Sequence, residues 1–245
     1  MSPFERYAID HLSPSSLNLW RASPGLWAAR YLAGLKDENA AMWRGHAVET
    51  GLARLFRGGS IGEARSAALD RFDENTAGEA AENEQTERDL IIPMLDTAAT
   101  WEAPAELAAT QLRVEHWFSG VPVPIIGFVD FAFTGGIDVE LKTTKARPSK
   151  PRADHVRQVA LYRAARKRRG GILYVTDKRA AFYEIEDGDV GPALADLASA
   201  ARSLTYFLDR IRSARDALSC LPIDWDDWRA SAPLRAAVEN LLTTL

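Results

Sequence analysis

The sequence predicts an α/β protein, with a central mixed sheet of about five strands flanked by helices and a helical N-terminal region. Three observations predict it. Apolar residues recur at helical spacing as far as Trp101, between N-cap residues and glycine stops. From Leu112 to Thr143 the apolar pattern alternates or runs continuously, as strands do. After Asp154 helical spacing returns, followed by two short apolar runs and a long helical one. With 245 residues, 47% hydrophobic and 26% charged, the chain has the composition of one globular domain. Its expected parts are helices over 1–105, a sheet and helix over 106–188 and C-terminal helices over 189–245.

Ser13-Pro14 and Ser23-Pro24 each put serine at an N-cap and proline at the first helical position, where no hydrogen bond is lost. They predict a short helix through Trp20 and a second carrying Leu26, Trp27, Ala29, Tyr31 and Leu32. Glu38 to Phe56 reads as a third helix, stopped by Gly58-Gly59. Ser60 caps a fourth, with Ala64, Ala67, Ala68 and Phe72 on one face. Residues 73–86, which include Glu79 and Glu82, are acidic and read as a mobile loop or a frayed helix end. Glu87 to Trp101 reads as one helix kinked at Pro93. Leu112, Val114, His116 and Phe118 alternate with polar residues, as in a half-buried strand that Ser119-Gly120 turns. Val121 to Phe133 is apolar almost throughout, as a strand buried on both faces would be. Gly135-Gly136 signals a hairpin, and Ile137 to Thr143 returns as the third strand. Pro148 and Pro151 mark a loop before a helix over Asp154 to Lys167, ended by Gly170-Gly171. Ile172 to Thr176 predicts a central strand and Ala181 to Ile185 an edge strand. Asp189 to Leu218 reads as one long helix, and a tail with Trp225, Trp228 and Leu234 follows.

Several classes drop out on composition. One cysteine, Cys220, allows neither an internal disulfide nor a cysteine-based zinc or iron–sulfur site within one chain. The first residues lack the basic start and apolar core of a signal peptide, and no apolar run approaches the roughly 20 residues of a membrane span. A soluble cytoplasmic protein is expected. No G-x-x-x-x-G-K-[ST] occurs, so no nucleotide-driven motor is expected. The net charge is −4, but the distribution is uneven. Lys142, Lys145, Arg147, Lys150, Arg152, Arg157 and Arg163 lead into Arg166-Lys167-Arg168-Arg169, with Asp154 the one acid in that span. Such a local field suits a polyanion, although Arg166 to Arg169 also fit a solvated helix face. Lys145, Arg147, Lys150, Arg152, His155 and Arg157 are the candidates for contacting nucleic acid. His155 could touch phosphate or cap its helix. Trp20, Trp27, Trp43 and Trp101 fit base stacking or, at their helical spacing, core packing.

Asp130 ends a buried apolar run, where a carboxylate is costly unless paired or metal-bound. Glu140 and Lys142 flank Leu141 on the next strand, so they share a face while Leu141 points into the core. Pairing those strands brings Asp130 and Glu140 together. A divalent cation would relieve their repulsion, and Lys142 would supply a positive charge for a water or a phosphate. The same three residues also fit a cross-strand ion pair.

The motifs resemble those of the PD-(D/E)xK nuclease superfamily, in its RecB-like and phage-exonuclease branch. Gly127-Phe128-Val129-Asp130 matches G-x-x-D, Glu140-Leu141-Lys142-Thr143 matches (D/E)-x-K-T, and Gln158 with Tyr162 matches Q-x-x-x-Y. Gly45 to Glu49 matches G-x-x-x-(H/E) upstream, and Leu12-Ser13-Pro14 looks like the branch's opening motif. The resemblance implies a restriction-endonuclease-like fold. It implies Asp130, Glu140, Glu49 and the Leu141 backbone carbonyl as ligands of one or two Mg²⁺ or Mn²⁺ ions. Lys142 would orient or deprotonate the water, and Gln158 and Tyr162 would hold Lys142 or the DNA backbone. His46 lies three residues off the family's histidine position but shares a helix face with Glu49. It is open to a metal-site role, a DNA contact or plain packing. Ser23 stands where iron–sulfur members carry cysteine, so no cluster is expected. The implied activity is a metal-dependent DNA exonuclease of recombination, repair or phage DNA processing. The alternatives are a structure-specific endonuclease of the same fold and an inactive DNA-binding scaffold. DNA is the implied partner, with a recombinase or single-strand-binding protein and an oligomeric state as further expectations from resemblance.

Overall fold

The computed structural model describes residues 2–35, 39–77, 83–227 and 230–243. Glu38 at the expected start of the third helix, Glu79 and Glu82 in the acidic stretch, and Trp228 lie outside the described residues. In chain order the elements begin with α1 (Pro3–Arg6), α2 (Pro14–Ala22), α3 (Pro24–Tyr31) and α4 (Ala40–Phe56). Next come α5 (Ile61–Thr76), α6 (Glu84–Asp89) and α7 (Ile91–Ala98), then β1 (Leu107–His116), β2 (Ile125–Phe133) and β3 (Ile137–Thr143). After them run α8 (Ala153–Arg166), β4 (Arg169–Val175), β5 (Ala180–Glu184), α9 (Asp187–Arg210), α10 (Ala214–Cys220) and α11 (Ala232–Thr243). The strands form one sheet in the order β1-β2-β3-β4-β5. β2 and β3 are an antiparallel hairpin, β3 and β4 run parallel around α8, and β5 returns antiparallel at the edge. This is the mixed five-stranded α/β arrangement expected from the sequence.

The chain divides into two compact units. One comprises Glu38–Val114 and Phe128–Gly191 and holds most of the sheet. Its strands alternate between two apolar layers. Phe131, Phe133, Val139, Leu141, Leu173 and Val175 pack with α4, α5 and α7. Ile172 and Tyr174 face the other way and pack with Val159 of α8. The period of two thus places Asp138, Glu140 and Lys142 opposite the α4 layer. Phe56 sits at a junction of aromatic rings, edge-on to Trp101, Phe131 and Phe133. Trp43 and Trp101 both lie against buried aromatic or apolar neighbours.

The other unit comprises Met1–Asp37, Glu115–Gly127 and Pro192–Leu245. Within it Trp20 packs on Trp27 and Phe207, and the backbone of Leu12 bonds to Pro124 and Ile126. Ser13 caps α2 with a reciprocal bond to Ser16. Ser23 makes no such bond at the start of α3. It also terminates α2, its N–H bonding back to Leu19, and its ψ of 84° departs from the extended value of the other serine caps.

The sequence reading has no helix at Pro3–Arg6, it places the first strand over Leu112 to Phe118 where β1 runs Leu107–His116, and four further element boundaries differ. Glu87 to Trp101 is broken at Leu90 rather than kinked at Pro93, because Pro93 falls in the first turn of α7, where its missing N–H costs nothing. β2 begins at Ile125, since Pro122 and Pro124 precede it and proline cannot donate to a ladder. Helix α8 is ended by Lys167 in the left-handed conformation, φ 56°, and Gly170-Gly171 lie inside β4. A Cβ on Gly171 would meet the Phe182 ring at 2.3 Å, so glycine is there for close packing across β4 and β5. The long C-terminal helix ends at Arg210 and restarts as α10 under a Ser213 cap.

Candidate active site

The β2–β3 hairpin turns at Gly136, φ 81°, and pairs Phe131 with Val139 and Ala132 with Asp138. Continued by one residue, that register sets Asp130 across from Glu140. Both are buried, 8% and 3% exposed. Asp130 Oδ2 accepts the backbone N–H of Leu141 at 2.8 Å, which ties the two motifs together. Burial pushes the Asp130 carboxyl well above the usual range, and the negative charges of Glu140 and Glu49 push it further. Glu49, on α4, is raised chiefly by burial as well.

Lys142 Nζ lies 2.6 Å from Glu140 Oε1. Burial alone would lower its pKa, but the charges of Glu140 and Asp130 outweigh it and the ammonium is favoured. On α8, Gln158 Nε2 donates to Tyr162 Oη at 2.6 Å, and Tyr162 donates to the Phe128 carbonyl on β2 at 2.8 Å. The four-residue spacing stacks the two side chains on one helix face. Burial and the charges of Glu140 and Asp130 raise the Tyr162 hydroxyl well above its ordinary pKa, so it stays a proton donor.

His155, one turn before Gln158, has its Nδ1 2.7 Å from Tyr174 Oη. Burial, with the nearby Lys142 ammonium, lowers its pKa to about 3 and keeps the ring neutral. Between β3 and α8 the exposed Lys145, Arg147 and Lys150 line a loop, with Lys145 3.3 Å from Glu87. Arg152 pairs with Asp154 at 2.9 Å and Arg157 is half-buried. His46 is exposed, and its carbonyl accepts from Thr50 Oγ1. Arg166 and Arg168 are not a solvated face. Both engage the buried Asp138, at 2.6 and 3.7 Å, while Arg169 pairs with Glu184 at 2.5 Å.

Two features had no motif to announce them. Arg44 and Glu87 form a buried pair, and Arg44 also reaches Thr143 Oγ1 at 3.5 Å, at the end of the Glu140–Thr143 motif. Burial pulls the Arg44 pKa down. Its place one residue before Gly45 was the available signal. Gln111 of β1 has φ 48°, and its Nε2 donates both to Glu49 Oε1 at 2.5 Å and to Asp130 Oδ1 at 2.9 Å. A lone glutamine on a strand carries no sequence signal.

The donor set suits a hard divalent cation. Carboxylates from three elements repel one another, and Glu140 Oε2 is buried without a hydrogen-bond partner. No three His, Cys, Asp or Glu side chains among the described residues are grouped closely enough to hold an ion together as they stand. The Gln111 amide lies between Glu49 and Asp130.

This hairpin of opposed carboxylates, with its lysine and its Gln/Tyr helix, belongs to a nuclease fold. The chain matches the PD-(D/E)XK nuclease superfamily over residues 11–236 and is a member of it. Among solved structures it is similar to a "Putative exonuclease" from Eubacterium rectale, with a TM-score of 0.57 and 14% identity, over 90% of this chain and 87% of the other. That likeness is one of fold. A second match, to SSO0001, covers 54% of this chain and 69% of the other at 18% identity, with a TM-score of 0.34. No curated protein matches the chain significantly. No helix among the described residues is long and apolar enough to cross a membrane.

Proposed function

We propose that this chain is a Mg²⁺- or Mn²⁺-dependent deoxyribonuclease that removes nucleotides from DNA ends. The observation that carries the reading is the alignment of Asp130, Glu140 and Lys142. Two buried carboxylates face each other across the hairpin, and an ammonium lies 2.6 Å from one of them. Asp130, Glu140, Glu49 and the Leu141 carbonyl would hold the cation, which polarises the phosphate and eases deprotonation of water when bound. Lys142 is favoured as an ammonium, so it donates rather than accepts. It orients the attacking water or meets charge developing on the phosphoryl oxygens. Tyr162 and Gln158 brace α8 against β2 through the Phe128 carbonyl and hold a neutral hydroxyl beside the carboxylates. Lys145, Arg147 and Lys150 are exposed on the loop that follows the second motif and would neutralise backbone phosphates.

End-labelled linear DNA and covalently closed circular DNA, each incubated with Mg²⁺ or EDTA, test the reading. Loss of linear DNA alone, in Mg²⁺ alone, supports an exonuclease. Cutting of the circle would point to the endonuclease of the same fold. Salt-sensitive binding without turnover in any divalent metal would point to the scaffold.

A further inference from the structure

The side chain of Gln111 stands between two of the carboxylates to which the proposed metal would bind. Its Nε2 lies 2.5 Å from Glu49 Oε1 and 2.9 Å from Asp130 Oδ1. One amide nitrogen thus donates to two carboxylates, which an N–H₂ group can do because it carries two hydrogens. An N–H₂ donor cannot ligate a cation, so an ion bridging Glu49 and Asp130 and this amide compete for one place. Three further features fit a group built to hold that place and leave it. Asp130 would otherwise face Glu140 and Glu49 with only the Leu141 N–H and Lys142 to offset their charge. Gln111 is exposed, so its side chain can turn into solvent without opening the core. Its φ of 48° lies in the left-handed region that a non-glycine strand residue rarely adopts, and that geometry is held at the carboxylates.

We infer that Gln111 is a positioning residue, a placeholder that gathers Glu49 and Asp130 through its amide and is displaced when a divalent cation takes the site. This rests on the metal-dependent reading above. The placeholder stabilises the protein only when no cation is bound, so removing it makes cation binding easier while weakening the metal-free fold.

The test compares wild type, Gln111→Ala and Gln111→Gly by calorimetric titration with MnCl₂, and by thermal melting in EDTA and in saturating Mn²⁺. Glycine removes the same amide at a φ that suits it, which separates loss of the amide from a folding defect. Expected is Mn²⁺ binding about tenfold tighter or more in both variants, as follows from losing a net hydrogen bond to a charged group. For Gln111→Ala the metal-free melting temperature falls by about 3–6 °C, while that of the Mn²⁺-saturated protein is unchanged. If wild type binds Mn²⁺, Glu140→Ala abolishes that binding, and both Gln111 variants bind equally or more weakly, the placeholder is overturned and the metal site stands. If wild type binds no Mn²⁺, or Glu140→Ala binds it as well as wild type, the metal reading fails and the placeholder falls with it.

Discussion

Lys142 is where the chemistry and the stability of this site meet. Its ammonium pairs with a nearly inaccessible Glu140, whose second oxygen has no hydrogen-bond partner. Replacing it by alanine is expected to lower the cleavage rate by about 10²–10³-fold, the usual loss for a preorganised donor at developing charge. The same change leaves Glu140 buried without its cation, so melting in EDTA should fall by more than melting in Mg²⁺. His155 gives a pH-dependent outcome. Its folded pKa is depressed from 6.5 to about 3, so the unfolded chain binds more protons between those values. Its contribution to stability is therefore present above pH 6.5 and lost as pH falls towards 3. Melting curves through that range should show the loss in wild type and a flatter profile in His155→Asn. At this scale Asp130, Glu140 and Lys142 were legible because strand alternation and hairpin pairing alone bring them together. Gln111 was not, since its place beside Glu49 and Asp130 comes with a φ that no residue pattern encodes and through contacts to residues distant in the chain.

The elements that position the site hold together by close approach as much as by apolar area. Gly171 illustrates it. An added Cβ would meet two atoms of the Phe182 ring at 2.3 and 2.6 Å and the Tyr183 carbonyl at 2.6 Å. Gly171→Ala should destabilise the protein by about 1–3 kcal/mol, read as a lowered midpoint in urea at unchanged slope. An unchanged midpoint would mean that β4 and β5 can separate without cost. Most element types could be read from period and punctuation. Ser13, Ser60 and Gly136 mark their boundaries by local rules, and the structure places a cap or turn at each. The misread boundaries turn on tertiary context. Gly170-Gly171 looks like a helix stop but serves strand packing, and Pro93 looks like a kink but starts a helix. A dipeptide signals only that something other than a regular interior is needed there.

For the whole molecule, the net charge of −4 conceals a division of labour. Part of the basic run is internal. Arg166 and Arg168 serve the buried Asp138, while Arg169 pairs with Glu184 at the surface. Lys145, Arg147 and Lys150 are exposed on the loop after β3, with Lys145 also near Glu87, and these are the residues proposed to meet DNA, a distinction that a charge count along the sequence cannot draw. The triple change Lys145→Ala, Arg147→Ala, Lys150→Ala is expected to weaken DNA binding and flatten its salt dependence by about 2–3 in log–log slope. Arg166→Ala should instead lower the melting temperature, because it removes the close partner of a buried carboxylate. The proposed function has the opposed carboxylates and Lys142 hydrolyse DNA with a divalent cation. The most direct measurement is release of label from end-labelled linear DNA by wild type and Lys142→Ala, in Mg²⁺ and in EDTA. Release by wild type in Mg²⁺ and almost none in the other three reactions is expected; equal release by both proteins, or release by wild type in EDTA, would contradict the proposed function.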